Sequence, residues 1–233
     1  CLFIGSTTRD LLMLVEAPPA SDRRIFARAC VNACGGIASV SASAFEKLGG
    51  RAALITAVGD PSETTDFIEA NLAARDLDSL CVIRIPDMES PFSVIQVESD
   101  GKRCITHAGG CMNALTLDMI PKEEILRAKR IHIGGLKAGL IEDLTRYCRE
   151  RTDALISVDG GNLSKETIEA ILPFVDVFIP DDKTVAQAHG FSPEDACRYY
   201  ADRGVSISVV TMGDKGSVAV KGGEFHRVPA VPV

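Results

Sequence analysis

Short apolar runs of strand length recur along this chain, separated by stretches of helical periodicity, and this alternation restricts the fold more than any other feature. Leu2-Phe3-Ile4-Gly5 is the first such run, and the segments 53–58, 130–133, 154–158, 176–179 and 206–211 repeat it in kind. Runs that are apolar throughout, bounded by turn residues, read as strands buried on both faces. Between them, Ile37, Val40, Ala44, Phe45 and Leu48 follow one helical face, which Gly49-Gly50 ends. Leu140, Ile141, Leu144 and Cys148 repeat that spacing. Ser192-Pro193-Glu194-Asp195 supplies an N-cap, a proline at the first helical position and acids in the first turn, and Gly204 closes that helix. The expected architecture is α/β: a mainly parallel sheet with helices on both faces and ligands at the carboxyl ends of the strands.

Two segments break the alternation. Residues 11–15 with 25–31, and 92–97 with 103–107, are strand-like pairs without a helix between them, and Ser99-Asp100-Gly101-Lys102 supplies a hairpin turn for the second pair. They predict a small β appendage, lid strands over approximately 11–31 and 92–107, placed over an active-site crevice because they leave the sheet from the ends of early strands.

The 233 residues, 46% hydrophobic and 24% charged, suffice for one globular domain spanning 1–233. A net charge of −7 without clustered Lys and Arg argues against a nucleic-acid surface. No apolar run reaches the 18 or so residues of a membrane span, and a cytoplasmic location is expected. Eight cysteines show no CxxC pair and read as buried thiols in a reducing compartment rather than zinc ligands.

Neither a P-loop nor a GxGxxG fingerprint is present. Thr211-Met212-Gly213-Asp214-Lys215-Gly216 lies between two strand-forming runs, and its glycines suit either a tight hairpin or a turn whose amides face phosphates. Gly35-Gly36 precedes the first amphipathic helix, where bare backbone meets the positive helix end. Asp10 follows the first strand and its Gly5 loop, in position to accept hydrogen bonds from two hydroxyls. Asp159 and Asp181-Asp182 end later strands, where carboxylates can help to hold Mg²⁺ through water. His107, at the end of a lid strand, is a candidate for substrate contact. His132 reads as a satisfied core residue and His189 as a partner of a helix C-terminus.

In this order the pieces resemble the PfkB or ribokinase-like family of carbohydrate and nucleoside kinases. The residues carrying the resemblance are Gly5-Ser6-Thr7-Thr8-Arg9-Asp10, Gly35-Gly36 with the helix ending Lys47-Leu48-Gly49, Ala57-Val58-Gly59-Asp60, Asp100-Gly101-Lys102-Arg103, Val158-Asp159, and the segment from Thr211 to Gly216. The resemblance implies a three-layer αβα sandwich with a β lid, and ATP-dependent, Mg²⁺-assisted phosphorylation of a sugar hydroxyl. By that analogy Asp10, Gly35 and Gly36 bind the substrate hydroxyls, Thr211, Gly213 and Gly216 lie against ATP, and Asp181 acts near the nucleotide and metal. The glycine turn is then both a hairpin and a nucleotide-binding turn.

The family usually carries its catalytic Asp in a GAGD motif shortly after a segment like Val228-Pro229-Ala230-Val231-Pro232-Val233, so the catalytic base and the C-terminal part of the fold are expected after Val233. The family's NxxE motif appears as Asp181-Asp182-Lys183-Thr184, Val40 matches a frequent Asn, and Gly134 stands where some sugar kinases have Glu. A sugar kinase is the first expectation. A nucleoside kinase, with Phe92 as a surface for the base, is the second, and a catalytically weakened ligand-binding or regulatory member the third. A homodimer through exposed lid strands is also expected.

Overall fold

The computed structural model describes residues 1–231; Pro232 and Val233, the last two residues of the segment compared with the family's approach to its catalytic motif, lie outside the described residues. The chain divides into two units, one of Gly5–Thr116 and the other of Cys1–Ile4 with the residues from Leu117 onward. The elements of the first run from the end of β1 (Leu2–Gly5) through β2 (Thr8–Leu14), β3 (Ala29–Gly35), α1 (Ile37–Lys47), β4 (Ala53–Val58), α2 (Glu63–Ala73), β5 (Ser79–Arg84), β6 (Phe92–Val97) and β7 (Arg103–Ala108). The second holds α3 (Lys122–Arg127), β8 (Arg130–Gly134), α4 (Ala138–Arg151), β9 (Leu155–Asp159), α5 (Lys165–Ile171), β10 (Val177–Ile179), α6 (Asp182–His189), α7 (Pro193–Ala201), β11 (Ile207–Thr211), β12 (Ser217–Lys221) and β13 (Glu224–Val228).

The strands form a nine-stranded sheet, in the order β13-β12-β11-β10-β9-β8-β1-β4-β5, and a four-stranded sheet, β3-β2-β6-β7. Pairings β4·β5, β8·β9, β9·β10 and β10·β11 are parallel, as expected where helices connect successive strands. β12 and β13 return antiparallel. Each apolar run foreseen in the sequence is a strand, to within a residue or so at its ends. Strands β5 and β13 carry weaker signals, since β13 is exposed along its length and β5 is polar or charged at both ends.

Ile156 and Val158 of β9 are fully buried, set beside Ile131 and Ile133 of β8, and Ile168 and Ile171 of α5 are buried as well. Each contributes roughly 1.5–3 kcal/mol on burial. Phe178 meets Tyr200 edge-on, with centroids 5.0 Å apart. Helix α4 buries Leu140, Ile141, Leu144, Thr145 and Cys148, the stripe its periodicity predicts. Ser192 caps α7 by accepting from the Asp195 N–H, and Gly204 follows with φ +100°.

Helix α1 departs from its pattern. It buries the small residues Ala38, Ser39 and Ala42, whereas Val40 is 52% and Leu48 88% exposed. A short distance to β4 selects small side chains on the inward face, so hydrophobicity alone marks the outward stripe. The cysteines also depart from expectation: Cys111, Cys148 and Cys197 are buried, but Cys30 and Cys104 are exposed on the small sheet. Burial pushes the thiol of Cys148 up to about 12 and that of Cys111 to about 11, so both stay protonated and inert. His132 is half-buried, with Nδ1 3.1 Å from Ser157 Oγ; its buried Nε2 has no partner, so the residue is only half satisfied. Burial lowers its pKa, and nearby Asp159 opposes the shift.

The appendage exists as the four-stranded sheet, but its first hairpin is displaced toward its ends. β2 and β3 occupy 8–14 and 29–35 rather than 11–15 and 25–31. The loop between them holds Pro18-Pro19 and a run of polar residues, which cannot extend the ladder.

Candidate active site

Within Gly5–Thr116, three consecutive hydroxyl residues lead into the small sheet. Ser6, Thr7 and Thr8 are all buried. Thr8 Oγ1 donates to Asp10 Oδ1 at 2.7 Å, fixing the carboxylate's orientation. Pairing of β2 with β3 sets Thr8 opposite Gly35 and Asp10 opposite Ala33. The other carboxylate oxygen, Oδ2, lies directly over the Gly35 α-carbon, in space a Cβ would occupy. Glycine at 35 thus leaves the carboxylate its seat, and a Cβ there would push Oδ2 aside.

Gly36 carries a different constraint. Its φ of +95° and ψ of 140° suit glycine, and a Cβ would overlap Ser6 O and Thr7 Cα. The residue lets the chain turn from β3 into α1 beside the Ser6–Thr7 backbone. Without a side-chain cap from Gly36, the first amides of α1 are met by Ser6: Ile37 N–H donates to Ser6 Oγ at 3.1 Å and Ser39 N–H to Ser6 O at 3.3 Å. Ser39 Oγ donates back to Gly35 O at 2.5 Å. Arg75 donates to Ser39 O at 2.7 Å and to Cys34 O at 3.3 Å. Burial raises the Cys34 thiol, and the Arg75 charge beside it partly offsets the rise. The candidate residues Asp10, Gly35 and Gly36 thus form one constellation: an oriented carboxylate, a bare backbone and a helix N-terminus. The hydroxyls of Ser6 and Thr8 that hold it were not singled out individually from the sequence, though Ser and Thr clustered before a helix entry are the usual signal for such support.

The second group of candidates lies in the other unit and is described by itself. β11 and β12 pair antiparallel with Thr211 opposite Ser217, so the glycine turn is a hairpin. Met212 N–H donates to Gly216 O at 2.8 Å. Gly213, at φ +59°, has open space where a Cβ would stand; Gly216, at φ +85°, is packed against Val228 O and the backbone of 229–230. Gly216 is thus demanded by the return of β13, and Gly213 by its backbone angle.

Asp181 forms an isolated parallel bridge with Thr211 and caps α6, its Oδ1 accepting from Thr184 N–H at 2.7 Å. Asp159 Oδ1 accepts from Gly161 N–H at 3.0 Å, and Oδ atoms of Asp159 and Asp181 flank the open side of Gly161. Thr184 is buried, and its Oγ1 accepts from Asn162 N–H at 2.8 Å, holding a residue whose φ is +60°. The threonine where a glutamate was expected is thus a clip on the loop between β9 and α5. Thr184→Val removes that acceptor and leaves the amide unpaired. The expected loss is about 1–2 kcal/mol in a denaturant titration, with Thr184→Ser near wild type; equal midpoints for all three proteins would refute the clip.

Among the described residues, no cluster of three or more His, Cys, Asp and Glu side chains could hold a metal ion, and no helix is long and apolar enough to cross a membrane. Asp159 and Asp181 fit the looser requirement of Mg²⁺, which keeps several waters and takes only one or two carboxylates beside phosphate oxygens.

This arrangement of a mainly parallel sheet, a small separate sheet and glycine-lined strand ends is the ribokinase-like α/β fold. Ribokinase from Giardia lamblia superposes with a TM-score of 0.86 at 18% identity, over 99% of this chain and 74% of that one. The nucleoside kinase of Burkholderia thailandensis, solved in complex with inosine, gives 0.77 at 18% identity, over 99% and 75%. The profile of the pfkB family carbohydrate kinases matches residues 1–233, and the chain belongs to that family. Among curated relatives, the bifunctional ribokinase/ribose-5-phosphate isomerase A of Fructilactobacillus sanfranciscensis is 21% identical, over 99% of this chain and 44% of its own length. The chain therefore spans less than half of that relative. Deoxyribokinase of Salmonella typhi is 23% identical, over 99% and 78%.

Proposed function

We propose that the protein transfers a phosphoryl group from ATP to a hydroxyl of a small sugar. The observation that carries this reading is the Asp10 carboxylate, oriented by Thr8 and seated over the bare α-carbon of Gly35. A carboxylate with one oxygen so fixed accepts from adjacent sugar hydroxyls, and positioning of the acceptor is a large part of catalysis in phosphoryl transfer. Gly35 gives that carboxylate its seat, and Gly36 turns the chain so that the N-terminus of α1 follows directly on the substrate-binding strand. Thr211, Gly213 and Gly216 line the nucleotide, with Gly213 presenting the open side of the turn. Asp159 and Asp181 would help to hold, through water, the Mg²⁺ that accompanies ATP, and that ion would supply neutralisation of charge on the phosphates. Action in the cytoplasm agrees with thiols kept unpaired in Cys30 and Cys104.

A sugar is favoured over a nucleoside by the register of the small sheet. Phe92, the aromatic candidate for a nucleobase, pairs with Arg9 and so points to the sheet face opposite Asp10. ADP release by the full-length protein, followed with D-ribose, 2-deoxy-D-ribose, D-fructose, adenosine and inosine in turn, tests the assignment. Faster turnover at lower KM for a free sugar is expected; preference for a nucleoside would replace the reading.

The Asp10 face also carries Leu14, Val31 and Ile105, which are 40%, 59% and 53% exposed. Three large apolar side chains on one open face support pairing of two copies through the lid. Light scattering is expected to give a dimer mass for the full-length protein and a monomer for Ile105→Asp; a wild-type monomer would refute the pairing.

A further inference from the structure

The register of the small sheet sets Ala33, Asp10, Ser93 and His107 in one row across its four strands. Paired residues share a face, and side chains alternate along a strand, so Asp10 faces the same side as Ser93 and His107. Arg9 takes the other side, where its guanidinium lies 5.2 Å from the Phe67 ring centroid and 2.8 Å from Glu63. The next row on the Asp10 side, Leu12, Val31, Ile95 and Ile105, is wholly apolar. Strand spacing of about 4.8 Å makes Asp10, Ser93 and His107 successive steps of one polar ladder.

The middle step is occupied. Ser93 is buried, and its Oγ lies 3.1 Å from His107 Nδ1. That contact fixes the imidazole plane and engages one ring nitrogen. Whichever partner donates, the exposed Nε2 is left with the complementary role: N–H donor if Ser93 gives its proton to Nδ1, acceptor if Nδ1–H gives its own to Ser93. A sugar hydroxyl satisfies either.

We propose that His107 is a specificity-determining residue, its Nε2 hydrogen-bonding a hydroxyl or carbonyl oxygen at the end of the sugar remote from the hydroxyls held by Asp10. This rests on the sugar-kinase reading and adds the second anchor that reading lacks. The ladder selects polyhydroxylated sugars carrying an oxygen at that remote carbon over analogues without one, because a missing partner leaves a desolvated ring nitrogen unpaired.

Two substitutions separate substrate recognition from support of the sheet. Asn places its amide near Nδ1, keeping the Ser93 contact and losing the Nε2 position; Gln places its amide near Nε2 and gives up the former. For the full-length protein, His107→Asn is expected to raise the sugar KM, and the calorimetric Kd, by about 3- to 10-fold, with kcat and the ATP KM within about twofold. His107→Gln is expected to stay within about threefold of wild type. The reverse order, Asn tolerated and Gln impaired, would make His107 a strut for Ser93 and overturn the proposal, as would two variants equal to wild type. Titration with D-ribose, 2-deoxy-D-ribose and D-fructose keeps the two readings apart. A wild-type protein that phosphorylates a sugar indifferently to His107 overturns this inference alone, whereas one that binds none of the three overturns the sugar-kinase reading and the inference with it.

Discussion

Asp10→Asn is expected to lower kcat/KM for the sugar by about a hundredfold or more while leaving the thermal midpoint within a few degrees of wild type. The amide keeps the carboxylate's shape, and its oxygen still accepts from Thr8 Oγ1, so the local structure survives. The charge does not. Two hydroxyl hydrogen bonds to a carboxylate are each worth about 1.5–3 kcal/mol, which together convert to between two and four orders of magnitude in rate. Gly35→Ala reaches the same end differently: its Cβ displaces Asp10 Oδ2, the far end of a side chain that can rotate away, so the charge is retained and moved. Steady-state kinetics beside a melting curve checks both. An Asp10→Asn protein with unaltered sugar KM and kcat would remove the carboxylate from the site.

The largest stability effect is expected at Gly36. Alanine there must adopt a backbone conformation nearly exclusive to glycine, and its Cβ meets Ser6 O and Thr7 Cα, backbone atoms that cannot rotate aside. Strain of about 1–3 kcal/mol, together with displacement of α1 from its Ser6 contacts, puts the expected loss at about 3–5 kcal/mol. For a chain of this size that is a fall of roughly 10 °C in the calorimetric midpoint. A fall of under about 2 °C would mean that the turn relaxes freely.

How far the sequence exposes this structure depends on which physical signal each element carries. Strands buried on both faces, such as β1 and β4, declare themselves because almost no solvent-facing position dilutes their apolar run. β13 is exposed along its length and owes its place to the ladder with β12, a tertiary cause without a local signature. Helix α1 shows the opposite case. Its strongest apolar spacing lies outward, because closeness to β4 selects Ala38, Ser39 and Ala42 for the inner face.

The site was legible as residue types and less so as reasons. Gly35 and Gly36 were visible as a pair, but one answers to the Asp10 carboxylate and the other to the Ser6–Thr7 backbone, a difference only coordinates display. Gly216 was grouped with Gly213, yet the return of β13 explains it without a ligand. Thr184 was legible only as a lost glutamate, because its bond to Asn162 joins residues 22 positions apart. The row from Asp10 through Ser93 to His107 depends on strand register, which a one-residue slip would abolish and which sequence alone fixes weakly here.

Phosphorus NMR of the full-length protein incubated with ATP, Mg²⁺ and a free sugar reads phosphoryl transfer to the sugar directly. A phosphomonoester resonance is expected to grow in step with ADP and to be lost in the Asp10→Asn protein. ATP left intact, or cleaved only to ADP and inorganic phosphate, with every sugar offered would contradict it.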